Sequence, residues 1–152
     1  MTAPRLDRDT VLAALRPEDV LAFYRTMQGR GVECVFGTRW SGGGSAPEHP
    51  HVFANRLANH LIAAVFSTTY DDITNGFKMY RREVLERIDG YSPLSSQHFD
   101  LTVELPLKAL AVGASYAVVP HQWVNRRGGD SKLNALTQWP RYMRAVLKAW
   151  AL

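Results

Sequence analysis

The sequence predicts an α/β fold. Two short apolar runs, Glu33–Thr38 and Tyr116–Pro120, read as strands covered on both faces, and helical patterns lie before, between and after them. A helix starts at Pro17, where proline sacrifices no needed donor and Glu18 and Asp19 complement the dipole. Val20, Tyr24 and Met27 continue one face until Gly29 and Gly31 stop it. After the first strand, Trp40–Pro50 shifts to Ser, Gly and Pro, which is loop chemistry. Val52–Thr68 is the longest helical candidate, with Phe53, Leu57, Leu61, Ala64 and Val65 along one side.

Asp71–Tyr80 reads as a turn leading into a short extended piece, and Arg81–Ile88 as a short helix. Leu101–Val112 is a helix closed by Gly113, with Pro106 removing one internal hydrogen bond. The last segment places Trp139, Met143, Val146, Leu147 and Trp150 at helical spacing, with Arg141, Arg144 and Lys148 off that seam. Such a basic amphipathic helix packs on its own core or lies in a membrane interface, and the terminal tryptophans favour the interface. Two strands alone do not make a stable parallel sheet, so partner strands are expected. The expected organisation is an N-terminal segment over 1–16, a main α/β part over 17–133 and the basic helix over 134–152.

Composition narrows the function classes. With 152 residues, 46% apolar and 21% charged, the chain has material for one core. The net charge of +4 is local, because residues 121–152 carry six basic side chains against Asp130. That concentration attracts phosphates, anionic lipid or nucleic acid. No nucleic-acid motif accompanies it, so no nucleic-acid partner is expected. Cys34, inside an apolar run, reads as a buried residue in a reducing, cytoplasmic setting. No window approaches the length of a membrane span, and no metal-ligand spacing is evident.

Four stretches carry chemistry. Asn125-Arg126-Arg127-Gly128-Gly129-Asp130-Ser131-Lys132 follows the second strand and combines guanidinium groups, a glycine pair, a hydroxyl and an ammonium, the makings of a phosphate-sized anion site. Val35-Phe36-Gly37-Thr38-Arg39 ends the first strand. Asp72-Ile73-Thr74-Asn75-Gly76-Phe77 continues to Tyr80-Arg81-Arg82, and Phe99-Asp100-Leu101-Thr102-Val103-Glu104 opens a helix. Read alone, Asp72 and Thr74 are turn caps and Asp100 and Glu104 are helix-start charges.

In this order and spacing the four stretches resemble the acceptor-side, C-terminal part of family 2 glycosyltransferases of the dolichyl-phosphate mannosyltransferase type. The resemblance implies a partial GT-A fold and an inverting transfer from a nucleotide sugar to a polyprenyl phosphate. It assigns Arg39, Arg126, Gly129, Ser131 and Lys132 to phosphates and Asp72 and Thr74 to the wall of the sugar site. His51 and Asn55 stand where relatives carry an arginine and a serine for the acceptor phosphate. Asp100 or Glu104 would be the base if the acceptor were a hydroxyl. A divalent cation, Mg or Mn, is implied, with ligands not identifiable in this chain. A truncated enzyme, inactive alone and peripheral to the cytoplasmic membrane face through its C-terminal helix, is the expectation; the alternative is a non-catalytic lipid-phosphate or membrane-surface module.

Overall fold

A computed structural model describes residues 16–40, 50–91, 94–96, 100–121 and 135–151. Helix α1, Pro17–Arg30, begins with proline in its first turn and ends on Gly31, whose φ of 62° is the left-handed conformation that closes a helix without a Cβ penalty. Strand β1, Cys34–Thr38, follows and is buried along its whole length. Helix α2 spans Pro50–Val65, strand β2 Lys78–Tyr80 and helix α3 Arg82–Tyr91. Helix α4, Leu101–Ala111, strand β3, Tyr116–Pro120, and helix α5, Ala135–Trp150, complete the described elements.

The sheet order is β2-β1-β3, with β1 central. β1 runs parallel to β3, Cys34 opposite Tyr116 and Thr38 opposite Pro120. It runs antiparallel to β2, with Cys34 opposite Tyr80 and Phe36 opposite Lys78. The short extended piece read from the sequence is thus a third strand, added antiparallel to the expected pair.

Alternation along β1 divides the core. Val35 faces Phe23 and Met27 of α1. Cys34 and Phe36 face the larger cluster of Tyr70, Ile73, Val84, Ile88, Val103 and Leu107, which α5 closes with Ala145, Val146 and Ala149. The burial of Cys34 pushes its thiol up to about 12, as suits an inert core residue.

Helices α1, α2 and α5 bury faces that differ from the ones read from the sequence. In α1 the core residues are Phe23 and Met27, while Val20 and Tyr24 are exposed. In α2 the small residues Ala58 and Ala63, with Asn59 and Ile62, are buried, and Phe53, Leu57, Leu61 and Val65 stand in solvent. The buried side is the one that meets the core through Ile62 and Ala63 and the turn at Thr74 through Asn59, so its position in the fold, not its hydrophobicity, covers it. Helix α5 likewise buries Ala145 and Ala149 and exposes Trp139, Leu147 and Trp150. Among the described residues no helix is long and apolar enough to cross a membrane.

Candidate functional site

The parallel pair β1 and β3 delivers the chain to one edge, and Arg39 is the first residue beyond β1. Ligands of open α/β sheets bind outside the carboxyl ends of parallel strands. The turn preceding β2 reaches the same edge and brings Asp72 to Arg39. The Asp72 carboxylate accepts from Arg39 Nη2 at 2.6 Å, from Nε at 3.0 Å and from the Arg39 backbone amide at 2.9 Å. Asp72 is fully buried and the Arg39 side chain is 19% exposed. A fork geometry of this kind fixes orientation as well as charge. Beside it, Thr38 Oγ1 donates to Asp71 Oδ1 at 3.3 Å and accepts from the Trp40 amide at 3.2 Å.

Two guanidinium groups approach the Trp40 indole. Arg39 Cζ is 5.0 Å and Arg56 Cζ 5.8 Å from its ring centroid. Both are within the range of cation–π attraction. Its indole nitrogen is buried and has no hydrogen-bond partner among the described residues.

A polar knot adjoins this pair. Asn59 Nδ2 donates to Asn55 Oδ1 and to Thr74 Oγ1 at 3.1 Å, the Thr74 hydroxyl donates to Asn55 Oδ1 at 3.2 Å, and the Thr74 amide donates to Asn59 Oδ1 at 3.0 Å. Asn55 and Asn59 are one helical turn apart in α2, so both reach the turn that holds Asp72 and Thr74.

Behind the site, the Asn75 amide nitrogen donates to the Gly37 carbonyl at 2.8 Å and to His121 Nε2 at 2.7 Å. Because that nitrogen donates, Nε2 accepts and the imidazole is neutral, with its proton on Nδ1. Lys78 is the cation beneath the turn. Its ammonium donates to the carbonyls of Ile73 and Thr102, each at 2.9 Å, and to that of Asn75. Burial pushes it down to about 7, against the pull of Asp72.

Arg39, Asp72, Thr74 and Asn55 are therefore gathered at one edge. The His51 backbone lies in the first turn of α2, and its side chain is outside the described ones. Arg126, Gly129, Ser131 and Lys132 lie outside the described residues.

Asp100 is the N-cap residue of α4, and Glu104 lies in its first turn. The Glu104 side chain is fully buried and pairs with Lys108 Nζ at 2.7 Å. It also accepts from the backbone amides of Ser95 at 3.0 Å and Ser96 at 2.7 Å. Burial pushes this carboxyl up, but Lys108 and the two serines outweigh it and hold it at about 2. The Asp100 carbonyl accepts from the amides of Val103 and Glu104, and its side chain makes no cap to the helix.

Sequence reasoning passed over Asn59, Arg56 and Trp40. Asn59 has a detectable signal, its spacing of four from Asn55 on a predicted helix. Arg56 has a weaker one, the cation following Asn55 where the family's phosphate arginine is missing. Trp40 had none, since its role depends on two arginines that meet it in space.

Among curated proteins the chain is similar to a polyprenol monophosphomannose synthase of Mycolicibacterium smegmatis, 31% identical over 106 residues. The match covers 68% of this chain and 40% of that protein, so the chain spans about two-fifths of the length of the curated relative it matches. No family profile matches the chain. No solved structure matches it either.

Proposed function

We propose, from the distant family 2 glycosyltransferase resemblance that this relative supports, that the chain forms the acceptor side of an inverting GT-A glycosyltransferase acting on a polyprenyl phosphate, with a nucleotide sugar as donor. The observation that carries the reading is the convergence of Arg39, Asp72, Thr74 and Asn55, from three separate stretches of sequence, at the carboxyl end of the central strand. In this reading residues 17–133 are the acceptor-side part and 134–152 the membrane-facing helix.

The chemistry asks little of a base. A polyprenyl phosphate oxygen is already anionic, so the protein needs to hold and aim it. Arg39, oriented by Asp72, supplies a directed donor there, and Arg56 adds charge that compensates the loss of an arginine at His51. A sugar-hydroxyl acceptor would instead need a carboxylate to take its proton. Glu104 suits that task poorly, because Lys108, Ser95 and Ser96 engage it and its pKa of about 2 makes it a weak base. Asp100 would be the remaining candidate of the two.

A departing diphosphate is commonly neutralised by a divalent cation, here Mg or Mn. Among the described residues no group of three or more His, Cys, Asp and Glu converges to hold one. The 152-residue chain alone is proposed to bind acceptor without transferring sugar. The exposed Trp139, Leu147 and Trp150 of α5 support a position at a membrane surface. The same exposure favours a second reading, a non-catalytic lipid-phosphate module.

Binding of polyprenyl phosphate in detergent, compared with the uncharged polyprenol, tests the proposal. Affinity about tenfold or more higher for the phosphate, lost in Arg39→Ala, is expected. Equal affinity for the two lipids overturns both readings. Sugar transfer by the chain with a panel of radiolabelled nucleotide sugars separates them, and transfer by the chain alone overturns the claim that it is inactive.

A further inference from the structure

Helix α5 has three distinct sides. Ala145, Val146 and Ala149 are buried in the core shared with α4. Trp139, Leu147 and Trp150 are 46%, 60% and 66% exposed. Arg141, Arg144 and Lys148, spaced by three and four residues, share the remaining side. That basic side is concave where it meets the segment before α4. Together with Ser95, Ser96 and Asp100 it walls a partly open pocket of about 90 Å³.

We propose that this pocket binds a phosphate group, separately from the edge that holds Arg39. Among the described residues three cations and one carboxylate line it, a net charge of +2. Arg141 and Arg144 form no ion pair or hydrogen bond with any described residue. Two guanidinium groups one turn apart present planar donor forks suited to the oxygens of a phosphate. Lys148 is already aimed, its Nζ donating to Ser95 Oγ at 3.0 Å.

The opposite wall is built from the interior. Ser95 and Ser96 are held by the Glu104 carboxylate through their backbone amides, and Glu104 is held by Lys108. A ligand therefore meets a wall ordered before it arrives, which lowers the entropic cost of binding. None of the lining residues belongs to the Arg39 and Asp72 cluster, so the proposal stands whether or not the chain serves a transferase.

A phosphate could reach this pocket as a lipid headgroup, since the exposed tryptophans lie on the same helix, or as a small soluble phosphate. The test uses the 152-residue chain, an Arg141→Gln/Arg144→Gln variant and an Arg25→Gln/Arg30→Gln control that removes the same charge from α1. Binding of inorganic phosphate is titrated at physiological ionic strength. Cosedimentation is measured with phosphatidylglycerol and with phosphatidylcholine vesicles. A loss of about tenfold in either binding for the α5 variant, with the control within about twofold of the parent, is expected. Loss confined to inorganic phosphate identifies a soluble ligand, and loss confined to phosphatidylglycerol vesicles a headgroup. Equal losses in the two variants, or no binding of either probe by the parent, overturn the proposal. The four substituted side chains are at the surface, so both variants keep the fold.

Discussion

Arg39 and Asp72, 33 residues apart in sequence, meet in a two-pronged ion pair in which the buried carboxylate also accepts the arginine's own backbone amide. The pair ties the residue after the central strand to the turn before β2. It also makes Arg39 a charge-compensated, oriented donor at the candidate site. Removing the cation leaves a buried, uncompensated carboxylate. Arg39→Ala should therefore destabilise the chain by about 3–5 kcal/mol, and Asp72→Asn, which keeps an acceptor, by less. Urea unfolding midpoints of the two single variants check the order.

Gly37 sits where the strand passes beneath His121 and the Phe77 carbonyl. A Cβ there would lie 2.6 Å from His121 Cδ2 and 2.8 Å from the Phe77 oxygen. The Phe77 oxygen is a backbone acceptor for Gly37 itself, so relief requires moving the ladder. Gly37→Ala is expected to cost roughly 1–3 kcal/mol and to weaken acceptor binding by displacing Arg39. Thermal unfolding with a parallel binding measurement checks both, and an unchanged Tm contradicts the packing account.

Lys78 joins the site turn to α4 through the carbonyls of Ile73, Asn75 and Thr102. Lys78→Met retains the stem and removes the donor, leaving buried acceptors unmade. The expected loss is roughly 2–4 kcal/mol. Amide exchange should quicken first across residues 71–77, and uniform exchange along the chain would argue against a local tie.

The Glu104 carboxyl, held at about 2 against an ordinary 4.5, contributes stability that depends on pH. Because its folded pKa is depressed, that contribution is complete above about pH 5 and is lost as pH falls towards 2. The difference corresponds to roughly 3 kcal/mol. Glu104→Gln should lower stability at neutral pH and flatten the acid limb of the stability curve between pH 5 and 2. A variant that keeps the parent's acid limb would place the titration elsewhere.

Much of the candidate site was legible before the fold. Arg39, Asp72, Thr74 and Asn55 were recoverable through the order and spacing of the motifs that resemble the family, since read alone Asp72 and Thr74 are ordinary turn caps and Asn55 is one polar residue inside a helix. Their mutual arrangement was not recoverable. Nothing local indicates that Asp72 would neutralise Arg39, or that Arg56 would approach Trp40, since those contacts join segments whose separation in sequence carries no distance information. Glu104 illustrates the opposite case. At a helix start it resembles a solvated charge, and only the fold shows it buried on Ser95, Ser96 and Lys108.

The sequence by itself determined the element types: apolar runs made β1 and β3, Pro17 and Gly31 bounded α1, and helical spacing marked α2, α4 and α5. These depend on backbone sterics and on a periodicity that a single segment carries. Only the tertiary structure decided which face each helix buries. Phe53, Leu57 and Leu61 are the more apolar side of α2, yet Ala58, Ile62 and Ala63 face the core, and α5 similarly turns Ala145 and Ala149 inward and Trp150 outward. Hydrophobicity ranks faces one helix at a time. Burial depends on which side of the helix meets the rest of the fold, and that position is not a property of one segment.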